Sequence, residues 1–132
     1  VPDISASLRS SLETLVSRVS SQAPRMPAST VDTVERIASI LRDLLADPAR
    51  LAADPDLQHS LVRLVRTDLP LSLETYLNLP WWFASRRAGA GEELVAQLGL
   101  LEAEAHRVAE RFYASDVDRQ ADHTRYLRDR DA

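Results

Sequence analysis

The chain has no cysteine and no lysine, and among 132 residues it has only one methionine and three glycines. Without cysteine there are no disulfides, thiolate ligands or thiol nucleophile, so the fold must be stabilised by packing alone. Without lysine, Schiff-base and lysine-nucleophile chemistry is excluded. All 16 basic residues are arginine. Beside so much alanine, this reads as the codon bias of a GC-rich bacterial genome rather than an arginine-specific mechanism. No apolar run approaches the ~18 to 20 residues of a membrane span. No window alternates apolar and polar residues for long, and β-branched clusters are missing, so strands have little support. The nucleophile motif GxSxG, the P-loop and the dinucleotide fingerprint are all absent.

What remains describes a helical chain. Apolar residues make up 45% of it, enough for one core, and the length suits a single helical domain spanning 1–132. The start, VPDISASLRS, has neither the basic residues nor the apolar core of a signal peptide, so a cytoplasmic location is expected. It also lacks an initiator methionine, as a segment excised from a larger protein or a processed chain would. A net charge of −4 and a pI near 5.3 oppose non-specific phosphate neutralisation, and no nucleic acid partner is expected.

Apolar residues recur at helical spacing. Ile4, Leu8, Leu12, Leu15, Val16 and Val19 predict a first helix from Ile4 to Ser20, with Asp3 able to cap it. Two prolines make SSQAPRMP a loop. Val31, Val34, Ile37, Ile40, Leu41, Leu44 and Leu45 predict a second helix capped by Ser29 or Thr30, with Asp32 and Arg36 paired four residues apart. Asp47-Pro48 and Asp54-Pro55 each read as an N-cap followed by proline at the first helical position. The first opens a short turn, the second a helix carrying Leu57, Leu61, Leu64 and Val65. Pro70 interrupts this helix and is expected to push Leu69 out of helical geometry. The pattern resumes with Leu71, Leu73, Tyr76 and Leu77. Glu92 and Glu93 open a long helix through Phe112, in which Gly99 marks a close crossing or a bend. Ser115 and Asp118 have capping-box spacing before a final helix carrying Val117, Ala121, Thr124 and Leu127, with a fraying tail.

The chemistry-bearing residues are sparse. Glu102, His106 and Glu110 lie four apart on the long helix, but most of that line lies away from the apolar stripe of Leu101 and Phe112 and reads as a solvated face rather than a metal site. His59 and Ser60 are sequence neighbours and do not face each other on a helix. The GAG at Gly89–Gly91 lacks a phosphate-binding context, and Glu92 and Glu93 would repel an anion there.

The segment from Asp68 to Arg87, DLPLSLETYLNLPWWFASRR, carries both tryptophans, one of two phenylalanines and one of three tyrosines. Aromatic and arginine side chains dominate protein-interface hot spots. Beside basic residues they also suit a lipid headgroup zone. The plainer reading is that Trp82 and Phe83 seal one end of the bundle. Arg63 and Arg66 before this segment, and Arg86 and Arg87 within it, could together form a local positive patch.

PASTVDTVERIASILRDLL, then LVRLVRTDLPLSLETYLNLP, then a long amphipathic helix ending FYASDVD resemble in order the family named for 5-bromo-4-chloroindolyl phosphate hydrolysis. The matching positions are Leu69, Pro70, Leu73, Tyr76 and Leu77, within coverage from about Thr30 to Leu127. The resemblance implies a helical domain and, by the family's name, phosphate-ester hydrolysis. It supplies no catalytic residue. The chain departs from the family in its Trp81-Trp82 pair and in having no membrane-spanning segment.

These readings predict an all-α fold: a four- or five-helix bundle with one helix kinked or broken at Pro70. The expected role is a non-catalytic protein-interaction or scaffolding domain that contacts another protein, or a second copy, through Trp81, Trp82, Phe83, Arg86 and Arg87. One alternative is an enzyme or accessory factor acting on phosphate esters, with Arg63 and Arg66 as candidate anion contacts and His59 as acid or base. The other is peripheral membrane attachment through the aromatic segment. No catalytic residue, cofactor or metal ligand is assigned.

Overall fold

Four apolar stripes of similar length must be buried against one another, and a bundle is the arrangement that does so. The computed structural model describes residues 4–86 and 89–131. Within them the chain is all-α, without a strand: α1 (Ile4–Ser21), a 3₁₀ turn (Ala23–Arg25), α2 (Ala28–Leu45), α3 (Pro48–Ala52), α4 (Pro55–Arg63), a π-helical stretch (Leu64–Asp68), α5 (Leu69–Leu77), α6 (Trp81–Arg86), α7 (Ala90–Phe112) and α8 (Ala114–Asp131). Four long bodies form the bundle: α1, α2, the composite α4–α5 and α7. Helix α2 is central, packed on α1 and α7, and α4–α5 closes against α1 and α7. The core is aliphatic, built from Leu8, Leu12, Ile37, Leu41, Leu44, Leu61, Leu69, Leu94, Leu98 and their neighbours. No described helix is long and apolar enough to cross a membrane.

Pro70 has no N–H to give the carbonyl four residues back, and its ring crowds that carbonyl. The helix answers by widening: Leu64–Asp68 is a π turn, and the Leu69 amide donates to Leu64 O five residues back. Leu69 itself stays helical, at φ −65° and ψ −50°. The kink expected at Pro70 is present, but not the expected exit of Leu69 from helical geometry. A local π bulge absorbs the ring at less cost than breaking a helix whose Leu64, Val65, Leu69 and Leu73 are all buried.

Both Asp-Pro caps form. Asp47 accepts from the Arg50 amide and Asp54 from the Leu57 amide, each at 3.2 Å. The other cap expectations are corrected. Helix α2 starts at Ala28 behind Pro27 with no side-chain cap, and the buried Thr30 hydroxyl has no hydrogen-bond partner. Ser115 lies inside α8 rather than capping it, because helix resumes at Ala114 straight after Tyr113. Gly99 is exposed and a Cβ there would meet nothing within 4 Å, so it marks no close crossing. Gly91 does serve an approach: a Cβ there would lie 3.0 Å from the Pro27 ring. Asp3, the proposed first cap, lies outside the described residues.

Arginine forks latch the helices. Arg42 grips Glu13 (2.6 and 3.1 Å), joining α2 to α1. Arg36 grips Glu102 (2.7 and 3.2 Å), joining α2 to α7, rather than forming the expected pair with Asp32. Arg111 grips Asp54 (both bonds 2.9 Å), so the carboxylate that caps α4 also binds α7. Two parallel N–H donors suit a carboxylate in each case. The guanidinium holds the Glu13, Glu102 and Asp54 carboxyls below their ordinary range.

Candidate functional site

Helix α5 ends at Leu77, Pro80 cannot continue it, and the chain turns into α6. The Pro80 carbonyl accepts from the Phe83 and Ala84 amides, both at 2.9 Å, and starts that short helix. Its base is fixed from the 3₁₀ turn. The Arg25 guanidinium donates to the Leu77 and Leu79 carbonyls (3.0 and 3.2 Å), and the Tyr76 hydroxyl donates to the Arg25 carbonyl (3.1 Å). Carbonyls left free where α5 ends thus find a cationic donor.

On this base the aromatic residues point outward. Trp81 is 70% exposed and Trp82 55% exposed, while Phe83 is half-buried. The Trp82 and Phe83 rings meet edge to face at 6.1 Å between centroids. Trp82 therefore does not seal the bundle; the core is already closed by leucines, and α6 packs chiefly on the side of α7. The helix forms a ridge between two depressions. On one side Tyr76, Leu79, Phe83, Ala90, Glu93 and Leu94 line a groove of about 550 Å³. On the other, Pro24, Arg25, Tyr76, Trp81, Ala84 and Ser85 line a cleft of about 270 Å³.

The predicted site residues separate. Trp81, Trp82, Phe83 and Arg86 share α6, and Arg86 is exposed at its end. Arg87 lies outside the described residues. Arg66 instead donates to the Ser7 hydroxyl (2.6 Å) near the start of α1, and Arg63 lies 3.8 Å from Asp68. Trp81 shares its cleft with Pro24 and Arg25, just beyond the end of α1. About 20 Å of helix separates the two places. The residues that organise the site, Arg25 and Tyr76, were not read from the sequence as such. Their signal was an arginine between two prolines, where only a loop was recognised.

Among the described residues no group of three His, Asp or Glu side chains is placed to hold a metal ion. Glu102 is taken by Arg36, and His106 and Glu110 are exposed. His59 is exposed too, and Ser60 donates to the Asp56 carbonyl.

A second organised place lies at the other end of α7. Arg50 on α3 donates to the Phe112 carbonyl at 2.6 Å and to Asp116 on α8. Its guanidinium lies over the Phe112 ring, 4.4 Å from the centroid, and 5.6 Å from that of Tyr113. One side chain thus caps α7 and pairs with the first turn of α8. The same pairing, with Arg119 adding to it, holds the Asp116 carboxyl below its ordinary range.

Comparison with protein-family models, with characterised proteins and with solved structures gives no match to this chain.

Proposed function

We propose that this all-α domain is a non-catalytic interaction module that binds a protein partner through the α6 ridge: Trp81, Trp82 and Phe83, with Arg86 at its edge. The observation that carries this reading is the exposure of two adjacent tryptophans, 70% and 55%, on a helix whose preceding turn is fixed by Arg25 and Tyr76. Leaving such surface in water forfeits the free energy of burying it, about 25 cal/mol per Å². A partner that covers the ridge recovers it, and a braced ridge loses little entropy on binding. The depressions on either side offer room for apolar side chains of the partner.

The test is affinity capture from source-cell extract by the wild type and by Trp82→Ala, both shown folded by circular dichroism. A partner recovered by the wild type and lost with Trp82→Ala is the expected result. Equal recovery by both would remove this site assignment. Two companion measurements separate the other readings. Salt-sensitive binding to anionic vesicles would favour membrane attachment, and magnesium-dependent turnover of an aryl phosphate would favour a phosphate-ester enzyme.

A further inference from the structure

Helix α8 runs for 18 residues, about 27 Å, without one buried side chain. Beyond its first turn, held by Arg50, little of the bundle touches it. An 18-residue helix in water is marginal on its own, and one that is polar nearly all round needs ion pairs or a neighbour. Ion pairs are present: Asp116 with Arg119, and Asp122 with Arg125. They sit beside a face of about 120° formed by Val117, Ala121, Thr124 and Leu127, and Val117 is 59% exposed. Tyr126 lies on the opposite side of the helix by its spacing from Val117.

The charge along α8 is polarised. Residues 114–122 hold three aspartates against one arginine, and residues 123–131 hold three arginines against two aspartates. Such a helix is complementary to itself when turned end for end. Among the described residues, Asp118 and Arg128 have no ion-pair partner within the chain. An antiparallel register that sets Val117 against Leu127 of a second copy brings Ala121 within one residue of Thr124 of that copy. It also brings Asp118 within reach of Arg125 and Arg128 of that copy. The arrangement is two-fold symmetric, so every contact occurs twice.

We infer that α8 is a self-association arm, pairing antiparallel with α8 of a second copy through the Val117–Leu127 face and the flanking Asp118–Arg125 charges. The arm is separate from the α6 ridge and does not depend on it.

Sedimentation equilibrium on the full chain, from micromolar to hundreds of micromolar protein, tests the inference. A reversible dimer is expected, weakened by raising salt from about 0.05 to 0.5 M. Asp118→Arg should weaken it at least about tenfold, and Asp118→Arg/Arg125→Asp should recover most of the loss, as exchanged charges do in a double-mutant cycle. Tyr126→Ala should leave it unchanged. Because the chain lacks cysteine, Ala121→Cys supplies a second readout: a short bis-maleimide should join two copies there but not at Tyr126→Cys. A monomer at every concentration would overturn the inference. So would a dimer indifferent to Asp118→Arg, a double variant no tighter than the single one, or a dimer lost only with Trp82→Ala.

Discussion

Helices α7 and α8 meet at one residue, Tyr113, yet relate oppositely to the core. Over 23 residues α7 buries Leu94, Leu98, Ala105, Val108 and Phe112; over 18 residues α8 buries none. Both carry a face at three- and four-residue spacing. In α7 that face is leucine, valine and phenylalanine, with the buried Ala105 among them. In α8 it is one valine, one alanine, one threonine and one leucine. Periodicity selects which side of a helix could be buried, and apolar area decides whether burial is favourable. The chain changes from one regime to the other across a single C-cap, where Arg50 supplies a tertiary contact in place of a core.

The contrast breaks most clearly by mutation inside each face. Leu98 is 1% exposed, and Leu98→Ala is expected to cost about 2–5 kcal/mol in urea denaturation. Val117→Ala on α8 should stay within about 0.5 kcal/mol of wild type in the same experiment. Equal losses would mean that α8 packs as α7 does.

Gly99→Ala should sharpen the picture of α7 from its solvent side. The position is helical and exposed, and a Cβ meets nothing there, so alanine should add about 0.5–1 kcal/mol of stability. A loss of stability would reveal a constraint on that backbone. Arg50→Met should uncouple the two helices. Amide exchange in the first turns of α8 is expected to speed up while the interior of α7 keeps its protection. Unchanged exchange would show that the joint does not rest on this guanidinium.

A smaller and more diffuse effect is expected in acid. Arg42, Arg111, Arg36 and Arg50 hold the carboxyls of Glu13, Asp54, Glu102 and Asp116 below their ordinary values. A carboxyl depressed on folding stabilises fully above its unfolded pKa, about 4, and loses that contribution as pH falls through the lower folded value. Melting temperature should therefore be level near neutrality and fall below about pH 4. High salt should narrow the difference, since these pairs lie at the surface. A fall that begins near pH 6 would show that these carboxyls do not set the acid limb.

A similarly small stability effect is expected on α6. Trp82→Ala should change unfolding free energy by no more than about 0.5 kcal/mol. Wild-type tryptophan emission should be red-shifted and readily quenched by acrylamide. Blue-shifted, protected emission would mean the rings are covered, and the ridge would lose its claim as a contact surface.

Much of the bundle was legible in the sequence. The stripes of α1, α2 and α7 name most of their buried residues, with Ile4, Leu15, Val31, Ile40 and Leu101 only partly buried, because leucine and valine at helical spacing favour burial in water. The Asp-Pro caps were equally readable, since cap and capped amides lie three residues apart. The α2 cap failed because Ser29 and Thr30 compete with Pro27, and the prior turn fixed where the helix starts. Asp32 and Arg36 have the right spacing to pair, yet Glu102, sixty-six residues on, offers a two-pronged geometry that a neighbour on the same helix does not.

By itself the sequence determined the helical class, the faces that become core, the Asp-Pro starts and a concentration of aromatic residues near Pro80. All of these follow from local spacing and side-chain chemistry. Only the tertiary structure decided that Trp81 and Trp82 face water, that Arg63 and Arg66 lie away from them, that Pro70 is absorbed by a π turn, and that Arg50 ties α8 to α7. Each of these depends on how the whole chain packs, not on local spacing. The core is filled by leucines and the tryptophans lie outside it, and an arginine is long enough to bind whichever carbonyl or carboxylate the packing brings near.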